Sequence, residues 1–102
     1  MDYVSESHSK HLLMVHLIFV MKYRRNLLIN FGDEIKQIFY DIANEKDIVI
    51  VEMEVDENHI HLLVHYKPTM SVLDLVWWFK QISTYGLWRQ NNNIMELTKF
   101  FW

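Results

Sequence analysis

The sequence predicts an α+β sandwich: an antiparallel sheet with its helices packed on one face. Three observations lead there. Apolar residues repeat first at strand spacing, then at helix spacing, then at strand spacing twice, then at helix spacing again. The two middle strands are separated by Asp56-Glu57-Asn58, whose composition is that of a tight turn. And the chain has 102 residues, of which 51% are apolar and 15% aromatic, enough for one packed core and too few for two.

The first strand is the run from Leu12 to Met21, apolar at odd and even positions alike, as in a strand buried on both sides at the centre of a sheet. Phe31, Ile35, Ile38 and Ile42 follow at spacings of three and four, with Phe39 beside them. They form one stripe of an amphipathic helix ending near Lys46. In the second strand Val49, Val51, Met53 and Val55 share one face, and Ile50, Glu52 and Glu54 the other. The third runs from His59 to Tyr66, with Ile60, Leu62 and Val64 against His59, His61 and His65, and Pro68 stops it. Ser71 suits the N-cap of the second helix, with Asp74 at the third helical position and Met70 placed to staple onto Leu75. Val72, Leu75, Val76, Phe79 and Ile82 are that helix's apolar face. One further strand would complete the split βαβ pattern of a ferredoxin-like sandwich. No clear run for it is present. Ile94 to Trp102 ends on Phe100-Phe101-Trp102, which predicts a chain that stops before its fold does and leaves apolar surface to be covered.

Composition narrows the function. Thirteen acids against ten bases leave a net charge of −3, which excludes a polycation that coats nucleic acid by charge alone. The acids crowd into residues 31–60, whereas Lys22, Arg24 and Arg25 cluster just after the first strand. Without cysteine there is no disulfide framework, thiolate zinc site or thiol nucleophile. The longest apolar run is half the roughly 20 residues of a membrane span, and nothing before it resembles a secretory signal. A single cytoplasmic domain over residues 1–102, with no membrane partner, is the expectation.

His59 and His61 lie two apart on a strand, so both imidazoles project from one face while Ile60, Leu62 and Val64 anchor the other. Such a pair can grip a divalent metal or the oxygens of a phosphate, or can simply be part of a polar surface. Hairpin register bears on the choice. An odd pairing sum, such as Glu54 opposite His59 and Glu52 opposite His61, keeps both carboxylates on the histidine face; a slip by one would drive them toward the core. There they could act as ligands, as orienting groups in a second shell, or as ion-pair partners.

Three blocks taken in order, HLIFVMKYRR from His16 to Arg25, NHIHLLV from Asn58 to Val64, and Ser71 to Ser83, resemble the single-tyrosine HUH transposases, the small enzymes of insertion-sequence type named for a His-hydrophobic-His motif. The resemblance covers roughly His8 to Trp102. It implies a ferredoxin-like fold, a homodimer, single-stranded or hairpin DNA as substrate, and Mg²⁺ or Mn²⁺ at His59 and His61. It also implies DNA cleavage and rejoining through a phosphotyrosine, and it makes Lys22, Arg24 and Arg25 candidate DNA contacts. His16 falls where the family also carries a first-strand histidine; a structural role is expected for it.

The pattern departs in two places. Asn58 stands where the family usually has an acid, although Asp56 and Glu57 are close. The nucleophile tyrosine, and the glutamine four residues after it, belong to a later helix that this chain does not reach. Tyr85, followed by Arg89 and Gln90, lies on the second helix and is read as helix-face packing; Tyr3, Tyr23, Tyr40 and Tyr66 have less claim. Trp78 and Trp88 are expected to pack in the core or at an interface, Trp77 is open to either packing or base stacking, and Lys80, Arg89 and Lys99 read as solvated helix charges. The rival from another class is a non-catalytic module that binds single-stranded nucleic acid or inhibits by dimerising. A small-molecule-sensing domain of the same fold would have no use for the histidine pair.

Overall fold

The computed structural model describes residues 13–90 and 101–102. β1 (Leu13–Val20) leads through a short 3₁₀ turn at Lys22–Arg24 into α1 (Leu28–Lys46). The hairpin β2 (Val49–Val55) and β3 (His59–Tyr66) follows, and then α2 (Val72–Gln90). Among the described residues the sheet has three antiparallel strands in the order β1-β3-β2. The α+β sandwich with helices on one face is thus observed. No helix among these residues is long and apolar enough to cross a membrane.

β3 is the central strand, and its alternation sets the layers. Ile60, Leu62 and Val64 are fully buried under the helices, while His59, His61 and His65 face the open side and are half-buried. α1 contributes Ile35, Ile38, Phe39 and Ile42 to the same core, and α2 contributes Leu75, Phe79 and Leu87. The end of α1 and the start of α2 are each closed by local chemistry. Asp47 takes a left-handed conformation (φ 60°) that closes α1, with the Ile48 N–H donating to the Ala43 carbonyl at 2.8 Å. At the start of α2 the Asp74 N–H donates to Ser71 Oγ at 3.0 Å and the Ser71 N–H to Asp74 Oδ2 at 3.3 Å, a reciprocal capping box. The helices approach closely where Gly86 meets Ile38: a β-carbon at Gly86 would lie 3.1 Å from Ile38 Cδ1.

Four expectations are corrected. β1 is an outer strand of the described sheet, not a central one. Val15, Leu17 and Phe19 pack toward the helices, but Met14, Ile18 and Val20 are exposed on the open face. In β2 a bulge between Ile50 and Glu52 shifts the alternation by one, so Ile50 joins Met53 and Val55 on the core side while Val49 and Val51 are exposed. On α2, Val72 and Tyr85 stand exposed rather than packed, Tyr85 at 57% with its ring 6.4 Å from that of Trp88, which lies outside the core. Trp77 is exposed as well, whereas Trp78 packs against the core beneath the Lys46 ammonium. Finally, Phe101 is buried and Trp102 rests against Phe19 and Phe39, its indole N–H donating to Ser83 Oγ at 3.1 Å. These two aromatics cover the core instead of demanding cover. Phe100 lies outside the described residues, as do Tyr3 and Lys99.

Candidate functional site

The hairpin tip fixes the site. Val55 pairs with Ile60, the Asp56 N–H donates to the His59 carbonyl at 2.8 Å, and Glu57-Asn58 is left as a two-residue loop. Glu54 therefore faces His61, and Glu52 faces Leu63. The odd pairing sum holds, so both carboxylates are exposed on the histidine face, but each sits two residues from its expected partner. Two backbone bonds tie the tip to the segment between β1 and α1: Met21 N–H to the Asn58 carbonyl at 2.8 Å, and Leu28 N–H to the Glu57 carbonyl at 3.0 Å. They hold the basic turn beside the His59 end of the sheet, where Val20 pairs with His59. Within that turn Tyr23 (φ 57°) and Arg24 (φ 51°) are both left-handed. That conformation costs a non-glycine residue energy and is imposed by its surroundings.

Glu54, Val55, Asp56, His59 and His61 line one open cleft of about 400 Å³. The His59 and His61 rings lie 4.9 Å apart between centroids, and His59 Nε2 is 3.7 Å from Asp56 Oδ2. Each ring has a neighbour at its other nitrogen. His59 Nδ1 is 2.9 Å from Asn58 Oδ1, and His61 Nδ1 is 3.4 Å from His16 Nε2. His16 is thus no structural residue of the core. It is exposed on the same face as the pair, because β1 pairs Ile18 with His61 and His16 with Leu63.

The structure brings together Glu54, Asp56, His59 and His61, with His16 alongside, and leaves Glu52 outside the cleft. Among the described residues no three His, Asp or Glu side chains are grouped so that they could hold a metal ion. The donor set therefore fits a divalent cation in part: two imidazole nitrogens, with carboxylate oxygens near, and the other positions open. Among the described residues no tyrosine lines the cleft. Tyr85 belongs to the helix layer, on the far side of the sheet from the histidines. Lys22, Arg24 and Arg25 are exposed, but Lys22 borders a second cleft together with Lys80, Gln81, Thr84, Phe101 and Trp102. That pairing of Lys22 with Lys80 has no signature in the sequence.

Residues 9–102 match the family model for IS200-like transposases. The chain belongs to that family. It is 37% identical over 65 residues to the ISDra2 transposase TnpA of Deinococcus radiodurans, covering 63% of this chain and 46% of that protein. It is also 29% identical over 92 residues to the transposase for insertion sequence element IS200 of Salmonella typhimurium, covering 87% and 59%. The chain thus spans about half the length of these curated relatives. A crystal structure of a candidate transposase from Deinococcus radiodurans superposes with a TM-score of 0.75 at 30% identity, over 80% of this chain and 64% of that one. The fold and the family read from the three sequence blocks are both found.

Proposed function

We propose that the chain serves DNA transposition: it binds single-stranded or hairpin DNA ends, and the parent activity cleaves and rejoins them through a phosphotyrosine. The observation that supports this best is the convergence of His59 and His61 on one open cleft beside an exposed basic turn. His59 and His61 would hold a divalent cation, Mg²⁺ or Mn²⁺. When bound, such an ion neutralises charge on phosphate oxygens. Two imidazoles leave most positions to water, so binding is weak. Lys22, Arg24 and Arg25 contribute cations to the DNA backbone, and Lys80 joins Lys22 along the second cleft. The chain acts as a homodimer or larger assembly. β1 has no partner strand on its outer edge among the described residues, and an open edge invites a second chain.

Attack by a tyrosine requires its oxygen in line with the scissile phosphate to within a fraction of an ångström. With no tyrosine among the described residues lining the cleft, the 102-residue chain binds hairpin DNA without becoming joined to it. The same observation favours the second reading, a non-catalytic nucleic-acid-binding or inhibitory dimerisation module. A labelled hairpin oligonucleotide run on a denaturing gel with Mn²⁺ tests both. The expected result is binding without a covalent band, and an adduct dependent on His59 and His61 once the chain is extended by a tyrosine helix from a relative. A covalent band from the 102 residues, lost in Tyr85→Phe, would make Tyr85 the nucleophile. Unchanged Mn²⁺ binding by calorimetry in the double variant His59→Ala, His61→Ala would remove the metal from this reading.

A further inference from the structure

We propose that His16 and Asn58 are positioning residues: they fix His61 and His59 in the tautomer that carries its proton on Nδ1, so that both rings present an unprotonated Nε2 to the cleft. The His59 tautomer stands on its own hydrogen bond, whereas the choice made for His61 and the consequence for metal affinity rest on the divalent-cation reading given above.

A neutral imidazole has one donor nitrogen and one acceptor, and the hydrogen bond made at one nitrogen decides what the other can do. For His59 the partner is Asn58 Oδ1 at 2.9 Å, and an amide oxygen can only accept. The amide is held in that sense, because Asn58 Nδ2 donates to Asn26 Oδ1 at 3.3 Å, and the Asn58 backbone carbonyl is anchored by the Met21 N–H. The proton therefore sits on His59 Nδ1. At the other nitrogen, 3.7 Å to Asp56 Oδ2 is too long for a hydrogen bond, so that carboxylate does not compete for the proton.

His61 repeats the arrangement with a different acceptor. Its Nδ1 faces His16 Nε2 at 3.4 Å, and the contact is favourable only if one of those nitrogens carries a proton. With the proton on His61 Nδ1, His16 Nε2 accepts, His16 keeps its own proton on Nδ1, and His61 Nε2 is free to accept like that of His59. Metal-binding histidines ordinarily donate their second N–H to a carboxylate, carbonyl or water, and loss of that partner weakens metal binding about 10- to 100-fold. Here an amide oxygen and a third imidazole take the acceptor's place. His16 is not itself a third ligand in this arrangement, since its Nε2 is engaged by His61. Asn58, which stands where the family resemblance leads one to expect an acid, thereby gains a role of its own: it supplies the oxygen that His59 needs.

Long-range proton–nitrogen correlation spectra of the metal-free, ¹⁵N-labelled chain read the tautomers directly. His59 and His61 should both be protonated at Nδ1. Asn58→Ala should release His59 alone, and Asn58→Asp, which keeps an acceptor oxygen, should restore it. His16→Ala should release His61 alone, and His16→Gln should restore it in part. In Mn²⁺ titrations each alanine variant should bind about 10-fold more weakly while its backbone spectrum stays dispersed. An Nε2-protonated His59 or His61 in the parent chain would overturn the proposal, as would tautomers that neither alanine variant moves. If the tautomers behave as stated but the parent chain binds no Mn²⁺, the positioning role stands and the divalent-cation reading falls. If Mn²⁺ binds through His59 and His61 while the tautomers ignore both alanine variants, the reverse holds.

Discussion

The two faces of β3 differ in burial and in chemistry, although their residues alternate one by one. Ile60, Leu62 and Val64 have no exposed surface, and they share one core with Phe39 of α1 and Phe79 of α2. His59, His61 and His65 are half-open to solvent, and the first two have polar neighbours, Asn58 and His16, in place of apolar ones. Because the pleat sends successive side chains to opposite sides, one strand carries both the burial that stabilises the fold and the polar groups of the candidate site. The separation relieves the site of any structural duty. Polar atoms on the open face can stay incompletely paired, since water rather than hydrocarbon surrounds them.

If that division is real, substitutions one residue apart must have opposite effects. Leu62→Ala removes a fully buried side chain from the centre of the core and should destabilise the fold by about 2–5 kcal/mol. His61→Ala, on the other face of the same strand, should change stability by no more than about 0.5 kcal/mol while removing Mn²⁺ binding. Urea denaturation followed by circular dichroism checks the first quantity, and calorimetry the second. A His61→Ala variant as damaged as Leu62→Ala would mean that the histidine face also holds the fold together.

The sequence makes the covered face legible and the open face only partly so. The stripes of α1 and β3 are read correctly because burial forces a regular period, and the Ser71–Asp74 capping box because its chemistry is local. β1 misleads because Met14, Ile18 and Val20 are exposed yet as apolar as Val15, Leu17 and Phe19. Nothing in the composition of such a run tells a central strand from an outer one. The bulge at Val51 is hidden for a similar reason, since Val49-Ile50-Val51 are interchangeable in character. Polarity fixes the parity of the hairpin, keeping Glu52 and Glu54 off the core. Its offset depends instead on which residues form the tip, and here they are Glu57 and Asn58. His16 is misread as structural because its contact with His61 joins residues 45 apart and exists only once β1 is registered on β3. Its even-numbered place on the strand, in step with Ile18 opposite His61, is the signal that could have found it.

A second test bears on the apolar part of the open face. Ile18 lies opposite His61 and is 56% exposed, so its own chain gives it little to pack against. Were the open edge and face of β1 covered by a second copy, the chain would run above its 12.5 kDa monomer mass in light scattering at micromolar concentration. Ile18→Lys should return it toward that mass, with stability of the separated chain altered by no more than about 0.5 kcal/mol. A parent chain that already scatters as 12.5 kDa would show that this face works alone.

The smallest expected effect discriminates most finely, because it separates two carboxylates on a single strand. Glu52 and Glu54 are both exposed on the histidine face, two residues apart, and sequence alone gives them equal standing. The observed register does not: Glu54 faces His61 and lines the cleft, whereas Glu52 faces Leu63 and lies outside it. A carboxylate that lines the cleft strengthens cation binding there more than one outside it, because the attraction falls with distance. Glu54→Gln should therefore weaken Mn²⁺ binding by about 10-fold, the lower end of the range for groups around a metal ligand, while Glu52→Gln should leave it within about twofold. Both substitutions preserve shape and remove one charge, so a general electrostatic effect would weaken the two equally. Equal losses in calorimetry would show that the acidic surface as a whole attracts the cation. A loss confined to Glu52→Gln would favour the register in which Glu52 faces His61, and the hairpin geometry from which the cleft is built would fail with it.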